Sequence, residues 1–191
     1  MPSTSGATDL TGKLLIAMPG MGDPRFEHSV VYLCAHSHEG AMGLIVNKPT
    51  ADVTLPMLLE QLSIQAHADL RGKPVRYGGP VEQGRGFVLH TPDYTSAVTT
   101  LKVDDGFSMT GTLDVLEDIA VDRGPRFHLI MLGYAGWGPG QLESEIAANG
   151  WLTCDASADL VFHTPDPDKW EAALASLGVP LMALSSEGGR A

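Results

Sequence analysis

Apolar and polar positions along this chain switch between a period of two and a period near 3.6, and the switches mark its elements. Lys13–Met18 is a short apolar strand that Pro19-Gly20 stops. Val30–His36 is the next strand. Ser37–Gly40 turns the chain and Ala41–Lys48 returns it, which predicts a hairpin. Leu55, Leu58, Leu59 and Leu62 recur at the spacing of one helical face. They predict an amphipathic helix over 55–64, with Thr54 as N-cap and Pro56 in the first turn. Val75–Tyr77, Gly86–His90, Ser96–Val103 and Phe107–Thr110 read as strands, the last two joined through Asp104-Asp105-Gly106. Leu113–Val121 reads as a helix with Leu113, Leu116 and Ala120 on one face. Thr112 stands at its cap and Gly124-Pro125 ends it. Phe127–Tyr134 is apolar along almost its whole length, as a central strand covered on both faces would be. Trp151–Cys154 and Leu160–His163 read as short strands. Asp166-Pro167 opens a last helix through Leu177, with Trp170, Ala173, Leu174 and Leu177 inward and Gly178 at C′.

Strands come first, hairpins are frequent, and no regular strand–helix alternation appears. The pattern predicts an α+β fold: one domain with a large mixed sheet curled on itself, flanked by about four helices. Its expected bounds are 11–185, behind a disordered leader over 1–10 and ahead of a flexible tail over 186–191. The pattern repeats once in words. Phe87–Asp93 is F-V-L-H-T-P-D and Leu160–Asp166 is L-V-F-H-T-P-D, each read as a buried strand stopped by proline. A duplicated sheet edge and plain strand-end chemistry both produce such an echo.

Composition narrows the function more than the fold. With 191 residues and 43% hydrophobic content the chain can bury one ordinary core. Its formal charge of −11 opposes phosphate backbones and anionic lipid, and no three consecutive residues are basic. Nucleic acid and membrane are therefore not expected partners. Cys34 and Cys154 are the only cysteines and both lie in apolar runs, so they are expected buried and unreactive. The first nine residues lack the charge and apolar core of a secretory leader, and no apolar run reaches eighteen residues. The expected location is the cytoplasm.

Gly133–Trp151 (G-Y-A-G-W-G-P-G-Q-L-E-S-E-I-A-A-N-G-W) is the densest local signal. Gly138 is expected to cap a helix with Pro139 at its first position, and Asn149-Gly150 to end it. The glycines also suit a backbone that approaches a ligand, although the spacing is not that of a dinucleotide or P-loop fingerprint. Glu143 and Glu145 lie about 200° apart on such a helix, so they cannot face one substrate atom. Arg85 and Arg126 are candidate partners for one of them. His36 and His38 lack a third metal ligand and are expected at the surface in the Ser37–Gly40 turn, so no metal or cofactor is expected. His90 and His163, at matching strand ends, are better placed for chemistry. No G-x-S-x-G elbow and no basic recognition helix occurs.

Four segments carry a family resemblance: G-K-L-L-I-A-M-P-G-M-G-D-P-R-F-E-H-S-V-V-Y-L-C-A-H-S-H-E-G-A-M-G-L-I-V-N-K-P (Gly12–Pro49), Y-G-G-P-V-E-Q-G-R-G-F-V-L-H (Tyr77–His90), Gly133–Trp151, and L-V-F-H-T-P-D-P-D-K-W. Over roughly Leu10 to Leu184 the chain resembles the AlgH/YqgE family of small bacterial proteins. The resemblance implies an α+β fold with a large bent mixed sheet tending to a pseudo-barrel. It also brings a name linked to transcriptional regulation of alginate production, but no catalytic residues. The first functional expectation is a non-enzymatic binding or regulatory protein with an unidentified small-molecule or protein partner. Its surface would gather Pro19–Phe26, Asn47-Lys48-Pro49, Gly78–Gly86 and Gly136–Gly140, with Asp23, Arg25, Asn47, Lys48, Glu82, Gly136, Trp137 and Gly138 as ligand-binding candidates. The alternatives are a hydrolase using His90 or His163 with Asp23 and Glu82, and a DNA-associated regulator that the charge disfavours.

Overall fold

The fold is organised around one long strand, His128–Trp137, whose two halves pair with different neighbours. The structure is a computed structural model and describes residues 9–19 and 23–179. The predicted tail, most of the predicted leader and the centre of the Pro19–Pro24 loop lie outside the described residues. In chain order the strands are β1 Lys13–Ala17, β2 Val30–Ser37, β3 Gly40–Ile45, β4 Pro49–Thr54, β5 Pro74–Tyr77, β6 Val81–His90, β7 Leu101–Lys102, β8 Ser108–Thr110, β9 His128–Trp137 and β10 Trp151–Asp155. The helices are α1 Leu55–Gln61, α2 Leu113–Ala120, α3 Gln141–Ala147 and α4 Asp166–Ser176.

The sheet order is β10-β1-β2-β3-β9-β6-β8-β7, with β5 joining β9 and β4 joining β5. All pairings are antiparallel except β5 with β9, so the sheet is mixed, and it curls into a half-barrel. The end of β9, Ala135–Trp137, pairs with Ala41–Gly43 of β3, while its first part pairs with β6 and β5. Gly133 marks the change of partner. Its φ is +80°, and a Cβ there would lie 2.4 Å from the Gly79 carbonyl oxygen. Gly78 and Gly79 meet the same crossing from the other side, so the three glycines let two backbones touch.

Alternate side chains feed opposite faces, which is why several strands read as unbroken apolar runs. Leu14, Ile16, Val30, Tyr32, Leu89, Leu129 and Met131 point into the concave core, where Trp170, Ala173 and Leu174 of α4 cover them. Leu15, Val31, Leu33 and Trp137 face outward beneath Leu142 of α3. Val88 and Ile130 face outward beneath Leu58, Leu59, Val115, Leu116 and Ile119 of α1 and α2. Cys34 and Cys154 are buried as expected.

Several local expectations change. Leu160–His163 is a π-helical turn, Asp159–His163, and not a strand. The two H-T-P-D echoes therefore have different backbones, which removes the duplicated-edge reading. Residues 96–100 form a loop, because the Ser96 hydroxyl accepts the N–H groups of Val98 and Thr99 and donates to Asp114. β4 was not legible in the pattern. Thr54 does cap α1, but the Thr112 hydroxyl donates to Asp114 and makes no capping bond. Leu113 and Leu177 are exposed at 48% and 42%; on α2, Val115 and Ile119 join the expected Leu116 and Ala120 in the inward positions.

Candidate functional site

The turn after β9 is built by its own polar groups. The Gly138 N–H donates to Gln141 Oε1 at 3.0 Å, and the Gln141 N–H donates back to the Gly138 carbonyl at 3.1 Å. Gly140, with φ +73°, is the residue that caps α3; Gly138 and Pro139 lie outside the helix, which starts two residues later than expected. Asn149 takes φ +64° and Gly150 donates to the Glu145 carbonyl, so the helix stops after two turns.

Glu143 and Glu145 do diverge, but neither pairs with Arg85 or Arg126. Glu145 Oε1 accepts both indole N–H groups of Trp137 and Trp151, each at 2.9 Å, and its Oε2 accepts from Gln141. The two indoles meet edge to face at 5.9 Å. Glu143 accepts from His36 Nε2 at 2.8 Å, and His36 Nδ1 accepts the Leu10 N–H. The His36 side chain is only 3% exposed. The expectation of a surface histidine fails because α3 lies against β3 and delivers Glu143 over the ring.

Beside this node lies a cleft of about 570 Å³. Its walls are Asp23, Arg25 and Phe26 from the first loop, Pro80-Val81 at the start of β6, and Gly136, Trp137, Gln141 and Glu145 from the β9–α3 segment. Asp23 caps a short 3-10 turn over Pro24–Phe26 and receives the Arg25 backbone N–H, Nε and a terminal guanidinium nitrogen. That guanidinium holds the Asp23 carboxyl below its ordinary range. The cleft thus brings together Asp23, Arg25, Gly136 and Trp137.

It does not bring in the other four candidates. Asn47 ties the loop down, accepting the Val30 N–H and donating to the His28 carbonyl, both at 2.9 Å. Lys48 donates to the Glu27 carbonyl at 2.7 Å, and burial lowers its pKa. These two residues position the loop that carries Asp23 and Arg25. Gly138 is occupied by Gln141. Glu82, at φ +49°, accepts from the Tyr134 hydroxyl at 3.3 Å and faces Arg85. Tyr134 and Arg85 line a more open groove of about 790 Å³ with Met42, Phe87 and Met109, and that groove reaches Gly136 and Trp137 from the other direction. Phe26 and Pro80 lie in segments that the sequence placed on this surface, though neither was singled out, and Gln141 falls just beyond the Gly136–Gly140 segment.

The hydrolase constellation is not assembled. His90 is fully buried; its Nδ1 donates to the Thr91 carbonyl and its Nε2 accepts from the Thr110 hydroxyl, each at 2.8 Å. Burial lowers its pKa, so it is held neutral. His163 is exposed and stands edge-on to Phe127 at 4.5 Å. Neither histidine bonds Asp23 or Glu82. Burial pushes the Cys34 thiol up to about 12, which removes a thiolate. Among the described residues no group of three His, Cys, Asp or Glu could hold a metal ion.

A family model described as AlgH-like (DUF179) matches residues 14–182. A UPF0301 protein of Ruegeria pomeroyi is 62% identical over 184 residues, covering 96% of this chain and all of its own. Another from Jannaschia sp. is 57% identical, covering 96% of each chain. Among solved structures, the solution structure of the AlgH protein from Pseudomonas aeruginosa superposes with a TM-score of 0.79 at 42% identity over all of both chains. A crystal structure of protein DIP2367 from Corynebacterium diphtheriae shares the fold, with a TM-score of 0.68 at 21% identity over 95% of this chain and 91% of its own.

Proposed function

The chain belongs to the AlgH-like family, and from that premise and the geometry of the cleft we propose a binding protein for a small polar molecule, without catalysis of its own. One observation carries the reading. Segments more than fifty residues apart, around Asp23–Phe26, Pro80-Val81 and Gly136–Gly150, converge on one cleft of about 570 Å³. Phe26 and Trp137 offer flat apolar surface there, and Gln141, Arg25 and backbone at Gly136 offer a few polar contacts.

The groups in the cleft suit binding better than chemistry. A general base needs a free, tuned side chain within reach of its proton. Here Asp23 is forked onto Arg25 and Glu145 is committed to two indoles and Gln141. The reading sets the protein in the cytoplasm, acting through the bound molecule on a partner. It agrees with a net charge of −11, and none of the described helices is long and apolar enough to cross a membrane.

The test is a thermal-shift screen of polar metabolites, because a ligand that binds only the folded state raises the melting temperature. Hits should quench Trp137 fluorescence saturably, and Arg25→Ala should weaken them without lowering the melting temperature of the free protein. A panel with no stabilising member, or a hit that the protein turns over, would overturn the proposal.

A further inference from the structure

A second concavity, of about 240 Å³, lies at the opposite end of β9 from the cleft. Its chemistry runs against the rest of the molecule. In a chain of net charge −11, its lining holds Lys73, Arg76, Arg126 and His128 and not one carboxylate. The acids beside it are already engaged: Asp93 accepts the Arg126 backbone N–H at 2.9 Å, and Asp166 stands at the first position of α4. Asp166 accepts Arg76 Nε at 3.1 Å and Lys169 Nζ at 2.8 Å. One carboxylate therefore answers two cations, and Lys169 is 1% exposed with its remaining bond to the Val46 carbonyl. Lys73 and Arg126 are exposed at the rim and make no ion pair among the described residues. The Arg126 guanidinium stands over the Phe127 ring at 5.3 Å. Nδ1 of His128 is buried with no hydrogen-bond partner, an expensive state for a polar atom. The remaining wall is apolar, with Leu55, Ile130 and Phe162.

We propose that this cavity binds a compact organic oxyanion: a carboxylate or phosphate among Lys73, Arg76, Arg126 and His128, with a small apolar body against Leu55, Ile130 and Phe162. Arginine and lysine supply the charge-assisted donors, and arginine offers a planar fork that suits both headgroups. His128 reports on occupancy. Burial, and then the charges of Lys73 and Arg76, lower its pKa to about 4, while the Pro125 carbonyl opposes them. An anion among those cations answers their repulsion, so binding raises the pKa of His128. The site shares no residue with the Trp137 cleft, so each proposal stands or falls alone.

The experiment follows the imidazole resonances of the full chain by NMR at constant ionic strength, titrating phenyl phosphate, benzoate and inorganic phosphate separately. A saturable shift at His128 is expected, with exposed His38 and His67 unmoved. The organic probes should bind about threefold or more tighter than inorganic phosphate, since each buried apolar group adds to affinity. Phenyl phosphate ahead of benzoate assigns a phosphate headgroup; the reverse order assigns a carboxylate. The pH titration of His128 should move upward with the tighter probe. The Lys73→Ala/Arg126→Ala double variant should weaken binding by about tenfold or more. Because both side chains lie at the rim, its melting temperature should stay close to that of the parent. The proposal is overturned if His128 does not respond to any probe, if His38 and His67 respond equally, or if the double variant binds as well as the parent.

Discussion

Replacing Glu145 by alanine should unlock the densest part of the sequence, and the cost can be worked from its contacts. The substitution removes the acceptor of two indole N–H groups and one Gln141 amide. A buried donor left without a partner costs about 1–3 kcal/mol. Trp151 is 1% exposed and does not line the cleft, so its N–H falls near the upper end of that range. Trp137 borders the cleft, where water can replace the carboxylate, so its N–H falls near the lower end. The sum is about 3–4 kcal/mol, and alanine's better helix propensity returns about 0.4 kcal/mol. In a domain of this size 1 kcal/mol moves the melting temperature by about 2–4 °C, so a fall of about 6–14 °C is expected. Glu145→Gln keeps one oxygen for both indoles and loses only the Gln141 bond, at about 1 kcal/mol. Urea unfolding followed by far-ultraviolet circular dichroism avoids the changed tryptophan fluorescence. An alanine variant within about 0.5 kcal/mol of the parent, or a glutamine variant as damaged as the alanine one, refutes the reasoning.

Asp166→Ala leaves Arg76 and Lys169 facing each other unpaired in the interior, and should cost about 3–5 kcal/mol by denaturant unfolding. Gly79→Ala places a Cβ 2.1 Å from the Tyr134 carbonyl carbon at φ +153°, so a loss of about 3 kcal/mol or more, or insoluble expression, is expected; a soluble variant with parental stability would contradict the crossing at Gly133. Cys34, raised to about 12 by burial, should not react with a thiol reagent at mildly alkaline pH until the chain is unfolded, and rapid labelling of the native protein would contradict that. His128 has a folded pKa of about 4 against 6.5 unfolded, so the unfolded state takes up the proton first and stability falls as pH drops between those values. The loss is on the order of 3 kcal/mol, His90 adds in the same direction, and His128→Gln should flatten the slope in urea titrations.

How far the sequence could be read is best seen in particular elements. Apolar runs announced β1, β2 and β9 as strands, and β9 as one covered on both faces, because Leu129 and Met131 share a side with α4 while Ile130 faces α1 and α2. Thr54 and Gly178 announced helix ends, because caps act within a few residues of themselves. Half of the candidate site was legible through its glycines and prolines, which mark loops. The rest was not, since Gln141 lies outside those segments and acquires meaning only when Asp23–Phe26 and Pro80-Val81 arrive beside it.

By itself the sequence determined most of the strands, the four helices, the α+β class and the family, all of which follow from periodicity, caps and short motifs. Tertiary structure decided what two nearly matching words would mean. F-V-L-H in Phe87–His90 is a strand because β8 and β9 flank it with free backbone groups. L-V-F-H in Leu160–His163 has no such neighbour. The Ser157 hydroxyl and carbonyl take its first N–H groups, and the segment winds into a π turn that packs on the core. The same holds for His36, buried by a carboxylate 107 residues away, and for Glu145, placed between two tryptophans. Local pattern sets which backbone states are cheap; the partner that arrives in space, by satisfying or excluding a hydrogen bond, selects among them.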